Sequence, residues 1–339
     1  ALKQLGHTPK PDNAAIWESL LFAFPLRQRT LFHGICKTRI GESLTLHLDA
    51  GRVETHGYWR PRLYGNASSE HCLADAIELV REIFVDVATK GPLLLPLSGG
   101  LDSRLMAAML ANLGADVRAF TFGSFGSVEV PFARKVAENL AIPWSEMTLR
   151  PEDYIQFGQE VVALTGGVLS PMHMHLYSCL SRIESRGRAV LHGFLGDHVA
   201  GDHAYGPRAQ VNAETARQEL QAEFCGQAAV TIPTDVLEQI RLDLLAILED
   251  CQANNPPGCL LEYFSVAERQ NMIAYIPAVM ETHIPVLRPY ADERFVSFFL
   301  SLSPDLRIGR GLFRQVGAAL FPDVFRLPST SYPFGPKFP

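Results

Sequence analysis

One short stretch of the sequence combines residues that could bind a charged ligand: Ser98-Gly99-Gly100-Leu101-Asp102-Ser103. Apolar residues 93–95 precede it, and a run with helical spacing that closes at Gly114 follows it, so the pattern predicts a buried strand, a tight turn and a helix. The glycines let the backbone approach a ligand closely, while the serines and the first helical amides supply hydrogen-bond donors. This arrangement predicts an anion-binding turn.

The carboxylate in this turn narrows the class of anion. Asp102 would repel bare phosphates unless a divalent cation lay between them, so we expect a magnesium-bound nucleotide polyphosphate. The stretch lacks the Gly-Lys-Ser/Thr ending of the Walker loop and the third glycine of the dinucleotide fingerprint. An ordinary strand-to-helix turn, with glycines for geometry alone, is the alternative. The hexapeptide resembles the pyrophosphate-binding loop (PP-loop) of the ATP pyrophosphatases, which cleave ATP to AMP and pyrophosphate.

The N-terminal part resembles a particular branch of these enzymes. Two alternating stretches, 43–48 and 52–59, flank an Asp-Ala-Gly turn and predict a β-hairpin. Together with a helix predicted at 14–24 and the Leu-Phe-His-Gly-Ile run at 31–35, this order resembles the segment that joins the two domains of asparagine synthetases. The resemblance implies the synthetase half of the asparagine synthetase and β-lactam synthetase family, lasso peptide cyclases included.

A second turn has the same character as the first. A predicted strand ends at Gly193, and Asp197 follows in the turn, where taken alone it could equally cap a helix. In the family, the matching aspartate shares the magnesium with that of the first turn, so the resemblance implies Asp102 and Asp197 as metal ligands. The residues predicted to bind ATP and pyrophosphate are Leu97, Ser98, Gly99, Gly100, Asp102, Ser103, Thr121, Phe122, Gly193 and Phe194.

Two departures from the family concern the chemistry. Phe194 stands where glutamine-dependent asparagine synthetases carry Glu and β-lactam synthetases carry Tyr, and a phenyl ring neither accepts a proton nor holds an amine by charge. We therefore expect a different amine substrate. His198 replaces the usual Glu and is a candidate base near neutral pH, as are the neighbouring His192 and His203, although each could equally be a packing or surface residue.

The C-terminal part departs further. Residues 288–292 resemble the family's Arg-Val-Pro-Phe-Leu-Asp motif, and Asp292 is expected to cap a helix. Relatives carry lysines beyond this point, one of which contacts the pyrophosphate, and no lysine stands at that place here. Arg310 or Arg314 could hold phosphate instead, because guanidinium suits a pair of phosphate oxygens. Lys337 is a further candidate.

Alternating strands and helices predict the fold class. Strands are expected at 93–95, 117–123 and 143–149, with helices between them, which indicates a parallel sheet with ligands at the carboxyl ends of its strands. The expected fold is an α/β, adenine nucleotide alpha hydrolase-like PP-loop domain with a helical C-terminal part and a small N-terminal β-hairpin. The helical part includes a long helix at 260–280. We divide the chain into a linker-like segment, 1–66, and a synthetase domain, 67–339.

Composition excludes several classes of function. The formal net charge is −6 and no basic cluster stands out, which weighs against a nucleic-acid partner. No apolar run approaches the roughly 20 residues of a membrane helix, so no membrane partner is expected. The six cysteines lack metal-ligand spacing and are predicted to be buried thiols of a reducing compartment. The expected location is the cytoplasm.

The residues and the resemblance together predict an ATP-dependent, amide-forming ligase with ATP and Mg²⁺ as cofactors. It would transfer AMP to a substrate carboxylate, release pyrophosphate and pass the acyl group to an amine. Because the chain begins with Ala1 and not with the catalytic Cys of glutamine-dependent members, we expect that it lacks the N-terminal glutaminase domain. The amine would come from free ammonia, from a partner chain or from the substrate itself, giving a lactam or macrolactam in the last case.

Two other functions stay open at this point. The chain could be another PP-loop ATP pyrophosphatase acting on a small molecule, with Cys179 as the nearest candidate for a persulfide. It could also be a degenerate nucleotide-binding scaffold in a biosynthetic complex, which Phe194 and the missing tail lysine would favour.

Overall fold

A computed structural model describes residues 6, 8–64, 72–180, 182–183, 187–202, 215, 218, 220, 232–256 and 258–330. The chain forms two compact units. The first comprises Ala1–Tyr64, Thr165–Leu169 and Tyr205–Ile273, and the second comprises Gly65–Leu164, Ser170–Ala204 and Ala274–Pro339. The predicted boundary between residues 66 and 67 lies outside the described residues, and that division stays a prediction.

The strands of the described residues form two sheets. One is an antiparallel hairpin in the first unit, and the other is a five-stranded parallel sheet in the second unit, with strand order β5-β4-β3-β6-β7. The strands are β1 (Glu42–His47), β2 (Arg52–Gly57), β3 (Leu93–Pro96), β4 (Val117–Gly123), β5 (Trp144–Thr148), β6 (Ala189–Leu191) and β7 (Val286–Leu287).

Helices form most of the rest of the described chain in both units. They are α1 (Asn13–Phe22), α2 (Cys72–Ala88), α3 (Leu101–Asn112), α4 (Glu129–Asn139), α5 (Pro151–Thr165), α6 (His175–Leu180), α7 (Gly196–Ala200), α8 (Thr234–Asn254), α9 (Leu260–Phe264), α10 (Gln270–Ile273), α11 (Tyr275–Met280), α12 (Glu293–Ser301), α13 (Pro304–Arg307), α14 (Gly311–Leu320) and α15 (Pro322–Phe325).

The central strand explains where a ligand can bind. Leu93, Leu94 and Leu95 of β3 are buried, as expected for a parallel strand covered on both faces. β3 pairs with β4 on one side and with β6 on the other, so the chain reverses its direction of winding at β3. The crevice of an open α/β sheet lies at such a switch point, outside the carboxyl ends of the strands. The predicted fold class, including the N-terminal hairpin, is confirmed.

The predicted long helix at 260–280 is present but is not one regular α-helix. After α9 the chain takes a π-helical turn at Ser265–Arg269 and continues as the two short helices α10 and α11. Pro277 has no N–H to donate to a continuous helical ladder, so the regular pattern breaks before it. Helical spacing of apolar residues does not detect this change of pitch.

The prediction that the cysteines are buried is confirmed only in part. Cys72, Cys179, Cys251 and Cys259 are buried, but Cys36 is exposed in the irregular segment before β1, and Cys225 lies outside the described residues. Within the part of the chain that the structure describes, no helix is long and apolar enough to cross a membrane.

Candidate nucleotide site

The turn after β3 is organised by its own serines. The Ser103 hydroxyl accepts the Ser98 N–H at 3.0 Å and lies 2.9 Å from the Ser98 hydroxyl, which accepts the Gly100 N–H at 3.1 Å. The Gly99 N–H donates to the Glu129 carboxylate at 2.6 Å. These bonds hold the backbone in place at the start of α3. The Gly99 amide also faces a carboxylate, which is the kind of group that an anion-binding turn takes.

Asp102 lies in the first turn of α3 and is paired with Arg310. The two terminal nitrogens of Arg310 donate to the two carboxylate oxygens, with Nη1 3.0 Å from Oδ2, and the Tyr290 hydroxyl donates to the Asp102 backbone oxygen at 2.8 Å. Burial raises the pKa of Asp102, the Arg310 guanidinium lowers it, and the nearby Asp197 charge raises it again. The structure therefore brings the two acidic turns close enough to interact electrostatically.

The second turn follows β6, the direct neighbour of β3. Asp197 lies in the first turn of α7 and does not cap it; its carboxylate accepts the backbone N–H of the next residue, His198, at 2.8 Å, and the same oxygen lies 2.9 Å from His198 Nδ1. Partial burial raises the pKa of Asp197, but the hydrogen bonds from His198 hold it below its usual value. The Asp197 side chain is 44% exposed, so an ionised carboxylate is accessible to a ligand here.

Backbone strain marks the second turn and the residue that pairs with Asp102. Leu195, just before α7, has φ +71°, and Arg310, just before α14, has φ +61°. Residues with a side chain rarely adopt this left-handed conformation, which costs of the order of 1–3 kcal/mol at strained positions. Strain of this kind concentrates at ligand sites, where the surrounding structure imposes it.

Gly196 packs closely against the Asp102 carboxylate and the Tyr290 ring. A Cβ atom at this position would lie 2.7 Å from Asp102 Oδ1 and 2.7 Å from Cδ2 of the buried Tyr290 ring. We expect Gly196→Ala to lower the free energy of unfolding by about 1–3 kcal/mol, as overpacking does. Urea unfolding measures the loss. Gly193→Ala is the matched control, since its nearest atoms lie 3.8 and 3.9 Å away. Equal stability of the two variants would contradict the close contact.

Other residues predicted to bind the ligand make hydrogen bonds next to the two turns. The buried Thr121 hydroxyl donates to the Leu97 carbonyl at 2.7 Å and accepts Trp144 Nε1–H at 2.8 Å. The Phe194 N–H donates to His192 Nδ1 at 3.0 Å. Burial lowers the pKa of His192 to about 4, so this imidazole is neutral near neutral pH. Phe122 lies at the end of β4, and its contact with ATP stays a prediction.

The predicted catalytic residues separate into different environments. His198 is buried against Asp197, and Arg310 is buried against Asp102. Arg314 lies four residues beyond Arg310 on α14 and is half-buried. Lys337 and His203 lie outside the described residues. The structure therefore places Arg310 in contact with Asp102, and the roles of all these side chains stay predictions.

Sequence reasoning missed Arg104, a fully buried arginine one residue after the hexapeptide. Its guanidinium donates to the carbonyl oxygens of Leu327 and Pro328 at 2.7 Å, of Val324 at 3.2 Å and of Gly99 at 3.4 Å. It thereby joins the nucleotide turn to the segment after α15. The one available signal was a charged residue inside the apolar run of α3.

Comparisons with known proteins give a family match and likenesses to solved structures. The asparagine synthase family model matches residues 85–327, a range that contains both acidic turns and Arg310. No curated protein matches the sequence significantly. Among solved structures, the chain resembles the NH3-dependent NAD synthetase of Campylobacter jejuni subsp. jejuni NCTC 11168, at 14% identity over 64% of this chain and 95% of that chain, with a TM-score of 0.26. It also resembles the NAD+ synthetase of Burkholderia pseudomallei, at 14% identity over 64% of this chain and 90% of that chain, with a TM-score of 0.25.

Proposed function

We propose that this chain, which belongs to the asparagine synthase family, adenylates a substrate carboxylate with ATP and passes the acyl group to an amine. Membership of this family supports the general class of activity: an ATP-utilising PP-loop enzyme of the carbon–nitrogen ligase type. The observation that carries the finer proposal is the juxtaposition of Asp102 and Asp197, each in a turn that follows one of two directly paired strands. Two acidic turns at a switch point suit a metal-bound polyphosphate.

The residues present fit magnesium and ATP. Carboxylate oxygens are the donors that Mg²⁺ prefers, and it commonly takes one or two of them together with substrate phosphates. Because Gly196 has no Cβ, the backbone of the second turn approaches the Asp102 carboxylate closely. Asp102 and Asp197 would hold the cation, which when bound neutralises charge on the phosphates. The turn at 98–103 would hold the pyrophosphate part of the nucleotide.

The chain's own side chains would then assist the transfer. Ser98 and Ser103 hold the turn in the shape that a phosphate group needs. Arg310, just before α14, contacts Asp102 and would place its guanidinium against the departing pyrophosphate, where negative charge accumulates. Phe194 offers no charge and no hydrogen-bond acceptor in the second turn. The amine would therefore be oriented by the rest of the molecule that carries it, and not by an acidic side chain at this position.

Binding of MgATP tests the nucleotide site without knowledge of the acyl substrate. A ligand that binds the folded state raises its thermal stability by mass action. We expect a saturable shift with MgATP that disappears in the Asp102→Ala, Asp197→Ala double variant. The absence of any shift at millimolar MgATP, with the protein folded, would contradict the proposal and favour a scaffold.

The identity of the products tests the reaction class. We expect formation of AMP and pyrophosphate, and substrate-dependent exchange of labelled pyrophosphate into ATP, on screening amino acids and peptides as carboxylates. Release of ADP and phosphate would contradict adenylation. Adding ammonia, or a separate amine, or neither, then distinguishes the three sources of the amine.

A further inference from the structure

We propose that Arg310 holds the cation position of this site when no nucleotide is bound, so that magnesium enters only together with ATP. When the nucleotide binds, the Arg310 guanidinium would leave Asp102 and donate its hydrogen bonds to the phosphate oxygens. This inference rests on the proposed function, because it assumes that MgATP binds between the two acidic turns. It goes further by assigning Arg310 a second position and by fixing the order in which the ligands bind.

The first step in the argument is the geometry of the pair. Both carboxylate oxygens of Asp102 accept hydrogen bonds from the terminal nitrogens of Arg310, which lies just before α14, far along the chain. A guanidinium that binds a carboxylate through two parallel hydrogen bonds occupies the lone pairs that a metal ion would need. It also repels a divalent cation at short range. Mg²⁺ alone is therefore expected to compete poorly for Asp102.

The second step is that the Arg310 side chain has hydrogen-bonding capacity left over. It is 6% exposed, its guanidinium lies 4.3 Å from the centre of the Phe313 ring, and its Nε has no hydrogen-bond partner within the described part of the chain. A buried, unpaired donor is costly, and a phosphate oxygen would satisfy it. Arg104 differs, since its terminal nitrogens donate to four backbone carbonyls and to no carboxylate that could bind a cation.

The third step concerns the backbone from which Arg310 projects. Gly309 has φ +63° and Arg310 has φ +61°, so two consecutive residues are left-handed between α13 and α14. Strain at a residue with a side chain persists only where the surrounding structure imposes it, and such positions cluster at ligand sites and switch regions. The arrangement suits an arginine that leaves Asp102 when phosphate arrives.

Titration calorimetry and thermal shift with MgCl2 alone test the inference. The wild-type protein is expected to show no response to millimolar Mg²⁺ and to bind MgATP. Arg310→Gln removes the guanidinium and frees the Asp102 carboxylate. This variant is expected to gain a saturable thermal shift with Mg²⁺ alone, because a ligand now binds the folded state. Its affinity for MgATP is expected to fall roughly tenfold, as for the loss of a charged hydrogen bond.

Two controls make the readout specific. Arg310→Gln combined with Asp102→Asn should lose the response to Mg²⁺ alone, and Arg310→Lys, which keeps the positive charge, should not gain it. Arg326→Gln removes the same charge from an exposed side chain and should behave as the wild type.

A wild-type protein that binds Mg²⁺ alone as tightly as Arg310→Gln does would overturn the inference, as would a folded Arg310→Gln that ignores Mg²⁺. The wild-type measurement does not depend on the folding of any variant. Failure of the wild type to bind MgATP would instead contradict the proposed function, so the two failures are distinguishable.

Discussion

Asp197→Asn is expected to weaken MgATP binding roughly 10–100-fold or more. Losses of this size are usual even when the residue removed only hydrogen-bonds to a metal ligand. Asparagine keeps the shape of the side chain and one oxygen, but it loses the charge that would attract the cation. Hydrogen bonds from His198 keep the native carboxyl ionised, so the variant differs from the wild type by a full charge near neutral pH. Calorimetric titration with MgATP measures the loss.

Asp202→Asn is the matched control for this prediction. Asp202 is exposed, lies five residues further along the chain and acts on Asp102 only through its charge. We expect its affinity for MgATP to stay within a few-fold of the wild type. If both variants lose affinity equally, Asp197 acts only through the negative charge that it adds to this region, and its assignment as a metal ligand is wrong.

Arg104→Met is expected to lower the free energy of unfolding by about 3 kcal/mol or more, because buried carbonyls lose their donor. The Gly99 and Val324 carbonyls also accept backbone N–H groups, from Thr330 and Leu327, so they are partly compensated. The carbonyls of Leu327 and Pro328, each 2.7 Å from the guanidinium, carry most of the cost. Methionine fills a similar apolar volume, which keeps a cavity from dominating the result.

Urea unfolding of three variants separates the hydrogen bonds from the charge. Arg104→Lys keeps the charge but lacks the planar fork, so it is expected to restore only part of the stability. Arg326→Met removes an exposed arginine paired with Asp323 and should leave the unfolding midpoint nearly unchanged. An Arg104→Met protein as stable as Arg326→Met would show that these carbonyls are satisfied in other ways.

Much of the site could be predicted from the sequence because its parts are local. The strand, the glycine turn and the helix around Asp102 occupy one continuous stretch, and Asp197 follows a second strand in the same manner. In a parallel sheet the carboxyl ends of neighbouring strands meet at one edge, so two such turns are expected close together. The pairing of β3 with β6 meets this expectation.

Only the tertiary structure decided which side chains complete the site. Arg310 and Asp102 are 208 positions apart, and Arg104 contacts carbonyls more than 200 residues away. Apolar periodicity states which face of a helix is buried, but it carries no information about which distant segment will cover that face. The left-handed backbone at Leu195 and Arg310 is equally invisible in the sequence, because neither residue type favours it and the surrounding packing imposes it.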